Sequence, residues 1–248
     1  MPAVTAGTRT GTVTGAGAGA GSGVVVSSVI PDPRRAAAVR IEVDGRPMWT
    51  VARQAVEAEG LAEGTVLDDE LSERLERAAD EEAALRTALR ALERRAFARQ
   101  DLARRLVRKG HPAAAVEAAM ERVDALGLLD DRAFAEQYVY FKARRGQGPR
   151  RLLADLRRLG VAEDVAAAAV ATVFPAERDL SEVIRQLAHK RARQLGAVSL
   201  PVKRRRIMSY LARRGYPTAE AAAEVDRVLG GSLDGRGTRG AGAFDPVP

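Results

Sequence analysis

Gly110, Gly160 and Gly215 close three copies of one pattern: LVRKG, LRRLG and LARRG each place a leucine four residues before the glycine. One helical turn further back stand Leu102, Leu152 and Ile207. Ten residues past each glycine come Met120, Val170 and Val225, and thirteen past come Val123, Val173 and Val228. This spacing predicts a helix ended by a glycine cap, a short turn, and a second helix with its own apolar face. The turn carries Pro112 in the first copy and Pro217 in the third. A further amphipathic stretch precedes each pair: Leu85/Leu89/Leu92, then Phe134/Tyr138/Phe141, then Val183/Leu187 with Ile184 beside them. The main part of the chain is therefore expected to be all-α, a tandem array of three-helix repeats with marker glycines 50 and 55 residues apart. Each unit would bury apolar surface on its neighbour, giving an elongated, curved array. The extra length of the third unit is expected at GAVSLP, Gly196–Pro201.

Composition excludes several chemistries. The 248 residues contain no Cys and only two His, His111 and His189. Disulfide scaffolds, thiolate zinc sites and thiol nucleophiles are ruled out, and neither His has an acidic partner at local spacing. No apolar run approaches the roughly 18–20 residues of a membrane helix. No cofactor, no metal and no enzymatic activity are expected, and the chain reads as a cytoplasmic protein, expected to be monomeric, with no membrane partner.

Charge is unevenly placed. Residues 1–80 carry 8 Lys+Arg against 12 Asp+Glu, whereas residues 81–230 carry 30 against 19. The acidic part opens with a Gly/Ala-rich stretch, residues 1–37, read as a disordered leader; GAGAGAGSG has no nucleotide-binding spacing. Residues 38–80 read as a small hairpin-plus-helix segment. Val39, Ile41 and Val43 alternate with charges before an Asp44-Gly45 turn, Pro47 demands an edge strand, and Asp68 caps a helix bearing Leu71 and Leu75. Repeats are then expected over 81–129, 130–175 and 176–230, followed by a Gly-rich disordered tail, 231–248.

Two helix starts break a local rule. Gly148-Pro149-Arg150-Arg151 opens the second helix of unit two, and Pro201 through Lys203, Arg204, Arg205 and Arg206 opens its counterpart in unit three. Cations in a first turn oppose the helix dipole by a few tenths of a kcal/mol each, unless an anion sits there. Unit one has Asp101 near the same point, the ordinary arrangement. Arg104, Arg105, Arg108 and Lys109, then Arg157 and Arg158, then Arg213 and Arg214 precede the marker glycines and read either as a stripe or as ordinary C-terminal dipole partners. Lys142, Arg144 and Arg145 close the first helix of unit two with the same two readings. The adjacent acids Asp130 and Asp131 read as a helix cap, Phe134, Tyr138 and Phe141 as core, and Tyr140 and Tyr216 as exposed contacts.

The runs ALRALERRAFARQDLARRLVRKG, GLLDDRAFAEQYV and GPRRLLADLRRLGV resemble the bacterial RecX regulatory proteins over about residues 80–230. The segment before them is similar to the N-terminal extension of many members. Departures are Gln100-Asp101-Leu102, where the family more often has Ser followed by an acidic residue and Leu, and the long leader. The resemblance implies a non-enzymatic modulator of recombination and DNA repair within the SOS response. It implies binding in the groove of the RecA–DNA filament, inhibition of RecA ATPase and strand exchange, and direct contact with single- or double-stranded DNA through phosphates. A helix-turn-helix transcription regulator, a sequence-tolerant DNA-binding helical protein and an enzyme with a dispersed site remain the alternatives.

Overall fold

A computed structural model describes the chain from residue 24 to 234, residues 34 and 36 apart, and its side chains as far as residue 230. The chain divides into two compact units, Met1–Ala79 and Asp80–Pro248. The first holds a three-stranded antiparallel sheet in the order β1(Val26–Pro31), β2(Ala38–Val43), β3(Arg46–Ala52), then a short helix α1(Arg53–Ala58). Val43 pairs with Arg46 across Asp44-Gly45, both at positive φ (50° and 71°), the two-residue turn that suits strand twist. Pro47 lies on the edge strand beside a register shift, where its missing N–H interrupts no interior ladder.

The expected leader needs correction at its end. Its first 23 residues lie outside the described residues, but from Val26 the chain is a strand whose valine is buried with Ile41, Val51, Leu71 and Leu75. A β-branched run directly after the low-complexity glycines supplies that strand. The expected tail likewise lies outside the described residues from 235 onward, while the last helix runs through Asp234.

A 24-residue helix α2(Asp69–Leu92) follows, its first turn capped by Asp68 Oδ1, which accepts from the Leu71 amide at 2.7 Å. No Gly or Pro interrupts it, so Leu71/Leu75 and Ala84/Leu85/Ala88 share one helix where two had been expected. Eight further helices follow: α3(Arg99–Arg108), α4(Ala113–Ala125), α5(Asp131–Arg144), α6(Pro149–Leu159), α7(Glu163–Val173), α8(Ser181–Gln194), α9(Leu200–Arg214) and α10(Thr218–Asp234) complete, with α2, three triplets. Each triplet has its own core: Leu102, Leu106, Met120 and Val123 in the first, Leu152, Leu156 and Val170 in the second, Ile207, Leu211, Val225 and Val228 in the third.

Three readings change. Phe141 is 60% exposed, because the buried face of α5 runs through Phe134, Ala135 and Val139, while Tyr138 packs at its edge. Tyr216 is 2% exposed and belongs to the third core, since the left-handed Gly215 turns the chain inward after α9. Much of the third unit's extra length is an added first turn on α9, 15 residues against 11 in α6, and only partly the connection at Gly196.

His111, just past the first marker glycine, has a ring Nε2 2.9 Å from Thr87 Oγ1, whose own proton goes to the Ala83 carbonyl. Burial pushes the imidazole below its usual pKa, with Arg86 adding to the effect and Asp80 opposing it. The folded form then resists protonation that the unfolded chain accepts, so stability should be fully present above the ordinary imidazole pKa, about 6.5, and should fall as pH drops through it. Denaturant midpoints from pH 8 to 5 should show this loss, and His111→Gln should flatten that part of the profile.

Candidate functional site

The central helices α3, α6 and α9 dock end to end. The C-terminus of α6 meets the start of α3: the Arg104 guanidinium donates to the Arg158 carbonyl (2.8 Å), and a Cβ on Gly160 would come within 2.8 Å of Gln100 Cδ. Asp131, in the first turn of α5, accepts from the Arg99 amide at 2.7 Å, while its neighbour Asp130 caps α5 through the Ala133 amide at 2.9 Å. The expected cap is therefore two caps, one per repeat.

The second junction is tighter. The Gly148 amide donates to the Arg214 carbonyl (2.7 Å) and the Arg150 amide to the Gly215 carbonyl (3.2 Å). Orphan carbonyls ending α9 thus satisfy orphan N–H groups starting α6, positive dipole end against negative. The Arg214 guanidinium reaches back to the carbonyls of Arg145 (2.7 Å) and Gly146 (2.8 Å). This corrects one expectation: the start of α6 is not an open anion cradle, because protein carbonyls already fill it. Arg150 and Arg151 stand beside a helix C-terminus, where cations are favoured.

The start of α9 differs. Counting twelve residues back from each marker glycine gives Ala98, Gly148 and Lys203. Ala98 is fully buried and packs into the second core, and Gly148 lies so close to Gly215 that an added Cβ would come 2.8 Å from its carbonyl carbon. The third position is a lysine, and α9 starts about a turn earlier there than α6 does. The first turn of α9 has no acidic residue and no side-chain cap. Arg204 is spent on Asp226 through two hydrogen bonds (2.6 and 3.0 Å), but Lys203, Arg205 and Arg206 have no acceptor among the described residues.

The other expected cations sort in the same way. Arg157 pairs with Glu163, which holds that carboxyl below its usual pKa through the hydrogen bond from Arg157. Arg151 (3.0 Å) and Arg158 (3.3 Å) share Asp155, a carboxylate only 5% exposed that also lies 3.4 Å from the Tyr138 hydroxyl. Burial, reinforced by Asp155, raises the Tyr138 pKa. Arg105 lies over the Phe97 ring and Lys142 over Tyr138. Arg144 donates to the Tyr140 hydroxyl (2.8 Å), and Tyr140 is exposed as expected, edge-on to Phe141. Arg108, Lys109, Arg145, Arg150 and Arg213 join the α9 cations as groups without an acceptor among the described residues. Arg145, Arg151, Arg213 and Arg214 line one cavity of about 460 Å³, whereas nothing brings Arg104, Arg105, Arg108 or Lys109 to it. Sequence reasoning could not separate paired from unpaired cations, but the Ala98/Gly148/Lys203 series was a usable signal for where repeats dock.

Among the described residues no cluster of three or more His, Asp or Glu could hold a metal, and no helix is long and apolar enough to cross a membrane. Three three-helix domains joined through their central helices, with Arg and Lys side chains that have no acceptor among the described residues, define a helical-repeat protein. The chain belongs to the RecX family of regulatory proteins. The family's first, second and third three-helix domains match residues 84–122, 130–170 and 177–222. The regulatory protein RecX of Xanthomonas oryzae pv. oryzae is 33% identical over 166 residues, 67% of this chain and 91% of that protein. That of Halorhodospira halophila is 37% identical over 159 residues, 61% of this chain and 94% of that protein. A crystal structure of regulatory protein RecX has the same fold, with a TM-score of 0.62 at 22% identity over 84% of this chain and 99% of that one.

Proposed function

We propose that this protein is a non-enzymatic, cytoplasmic regulator of RecA that lies along the RecA–DNA filament and inhibits its ATPase and strand exchange. The observation that carries the reading is the set of cations with no acid partner among the described residues, in a fold that pairs many others: Lys203, Arg205 and Arg206 at the open end of the helix line, with Arg145 and Arg213 at the inner junction. A polyanionic fibre supplies partners for them along a stack of repeats, mainly through phosphates and with little sequence preference. Membership of the RecX family supports RecA as the partner. RecA-dependent ATP hydrolysis on single-stranded DNA, with RecA from the same host, should fall as this protein is titrated to stoichiometric amounts. Undiminished hydrolysis at that ratio would remove the reading.

A further inference from the structure

The junction between the second and third repeats holds a cavity lined by Arg145 and Gln147 after α5, Arg151 on α6, and Tyr210, Arg213 and Arg214 on α9. Four guanidinium groups line it and no carboxylate does. Asp155 takes one hydrogen bond from Arg151 and lies outside the lining, and Arg214 is bound only to neutral carbonyls, so most of this positive charge is uncompensated. The junction also leaves polar atoms without partners. Gln147 Oε1 is buried with no donor, and Nε of Arg191, whose guanidinium stands 5.7 Å from the Tyr210 ring centroid, is buried with no acceptor. Unpaired buried polar atoms beside crowded like charges are what a missing ligand leaves behind.

We propose that this cavity is a phosphate-binding clamp that ties the third repeat to the second. Guanidinium forks match phosphate oxygens two at a time, and a volume of about 460 Å³ admits more than one phosphate group. A lone side-chain carboxylate would fill little of it and neutralise one charge among four. Tyr210 already has Arg214 over its ring at 4.8 Å and Arg191 at 5.7 Å, so the site reads backbone phosphate and not a stacked base. Arg145 and Arg151 belong to repeat two, Arg213 and Arg214 to repeat three, so a bound phosphate bridges both. Occupancy must then stiffen the junction, since a ligand that prefers the closed arrangement shifts the population toward it. The proposal rests on the polyanion reading only for the source of the phosphate, nucleic acid or a free polyphosphate.

The test uses the full chain, with inorganic pyrophosphate and a short single-stranded oligothymidylate as separate probes. The readout is hydrogen exchange at the Gly148 and Arg150 amides, which close the junction onto Arg214 and Gly215. Saturation with either probe should slow exchange there by at least about fivefold (roughly 1 kcal/mol of added protection at 1.4 kcal/mol per tenfold). Arg145→Gln with Arg213→Gln, neither of which has an acceptor among the described residues, should leave the melting temperature unchanged and abolish the slowing. For oligothymidylate the pair should also lower the salt slope by about 1.4, two contacts at roughly 0.7 each for single strands. Slowing by pyrophosphate alone upholds the clamp and assigns it a free polyphosphate. Slowing by neither probe, or slowing that survives both substitutions, overturns the clamp even if RecA inhibition persists, and loss of RecA inhibition with slowing intact overturns only the functional reading.

Discussion

Gly215→Ala is expected to destabilise the protein by roughly 2–5 kcal/mol, while Gly110→Ala costs only about 1–2 kcal/mol. Both glycines end a central helix at nearly the same left-handed φ, 86° and 88°, so the backbone penalty for a Cβ is shared. What differs is the space. A Cβ at Gly110 meets nothing within 4 Å, with no central helix docked on that end among the described residues. A Cβ at Gly215 lies 2.8 Å from Arg151 Cα and closer still to its amide nitrogen, and backbone in the first turn of α6 cannot swing aside. The clash must push α9 off α6, losing the Gly148–Arg214 and Arg150–Gly215 hydrogen bonds together. Urea unfolding of the two variants checks the contrast, and a second, earlier transition for Gly215→Ala would show the third repeat melting apart. Equal costs would mean that the central helices do not dock end to end.

That asymmetry also marks how far the sequence could be read. Repeat number, the apolar anchors, the Asp44-Gly45 turn, the Asp130 cap and Pro149 at a helix start were all legible, because each is set by residues within a few turns of one another. Strand β1 was hidden by the glycine-rich stretch before it and by two serines within it, Ser27 and Ser28. Phe141 was misplaced because a 3.6-residue period drifts, and the aromatic spacing of four and three straddled the edge of the buried face. The occupied start of α6 was the least legible feature: it depends on carbonyls of Arg214 and Gly215, more than sixty positions away. From sequence Arg150-Arg151 and Arg205-Arg206 look equivalent, and they do fall at the same offset from their marker glycines. Only the docked repeat separates them.

The separation has a measurable consequence at the open end. Replacing Lys203, Arg205 and Arg206 together by glutamine should weaken binding to single-stranded DNA by roughly a hundredfold at moderate salt, at up to about tenfold per lost contact. The slope of log affinity against log salt should shrink by about 2, three contacts at roughly 0.7 each. Arg204→Gln is the comparison, since Arg204 lies between them but is held bidentate by Asp226. The pair is exposed, so its loss should move stability little, and a guanidinium engaged twice by its own carboxylate releases no phosphate counterion on binding. Its loss should leave the salt slope unchanged, because the slope counts phosphates in contact and not net charge. Fluorescence anisotropy over a salt series distinguishes the two variants directly. Should Arg204→Gln flatten the slope as much as one third of the triple variant's effect, per-residue pairing is irrelevant and the contact is made by the basic face as a whole. Should the triple variant leave the slope intact, the open end of α9 does not meet the polyanion, and the inner junction carries the binding alone.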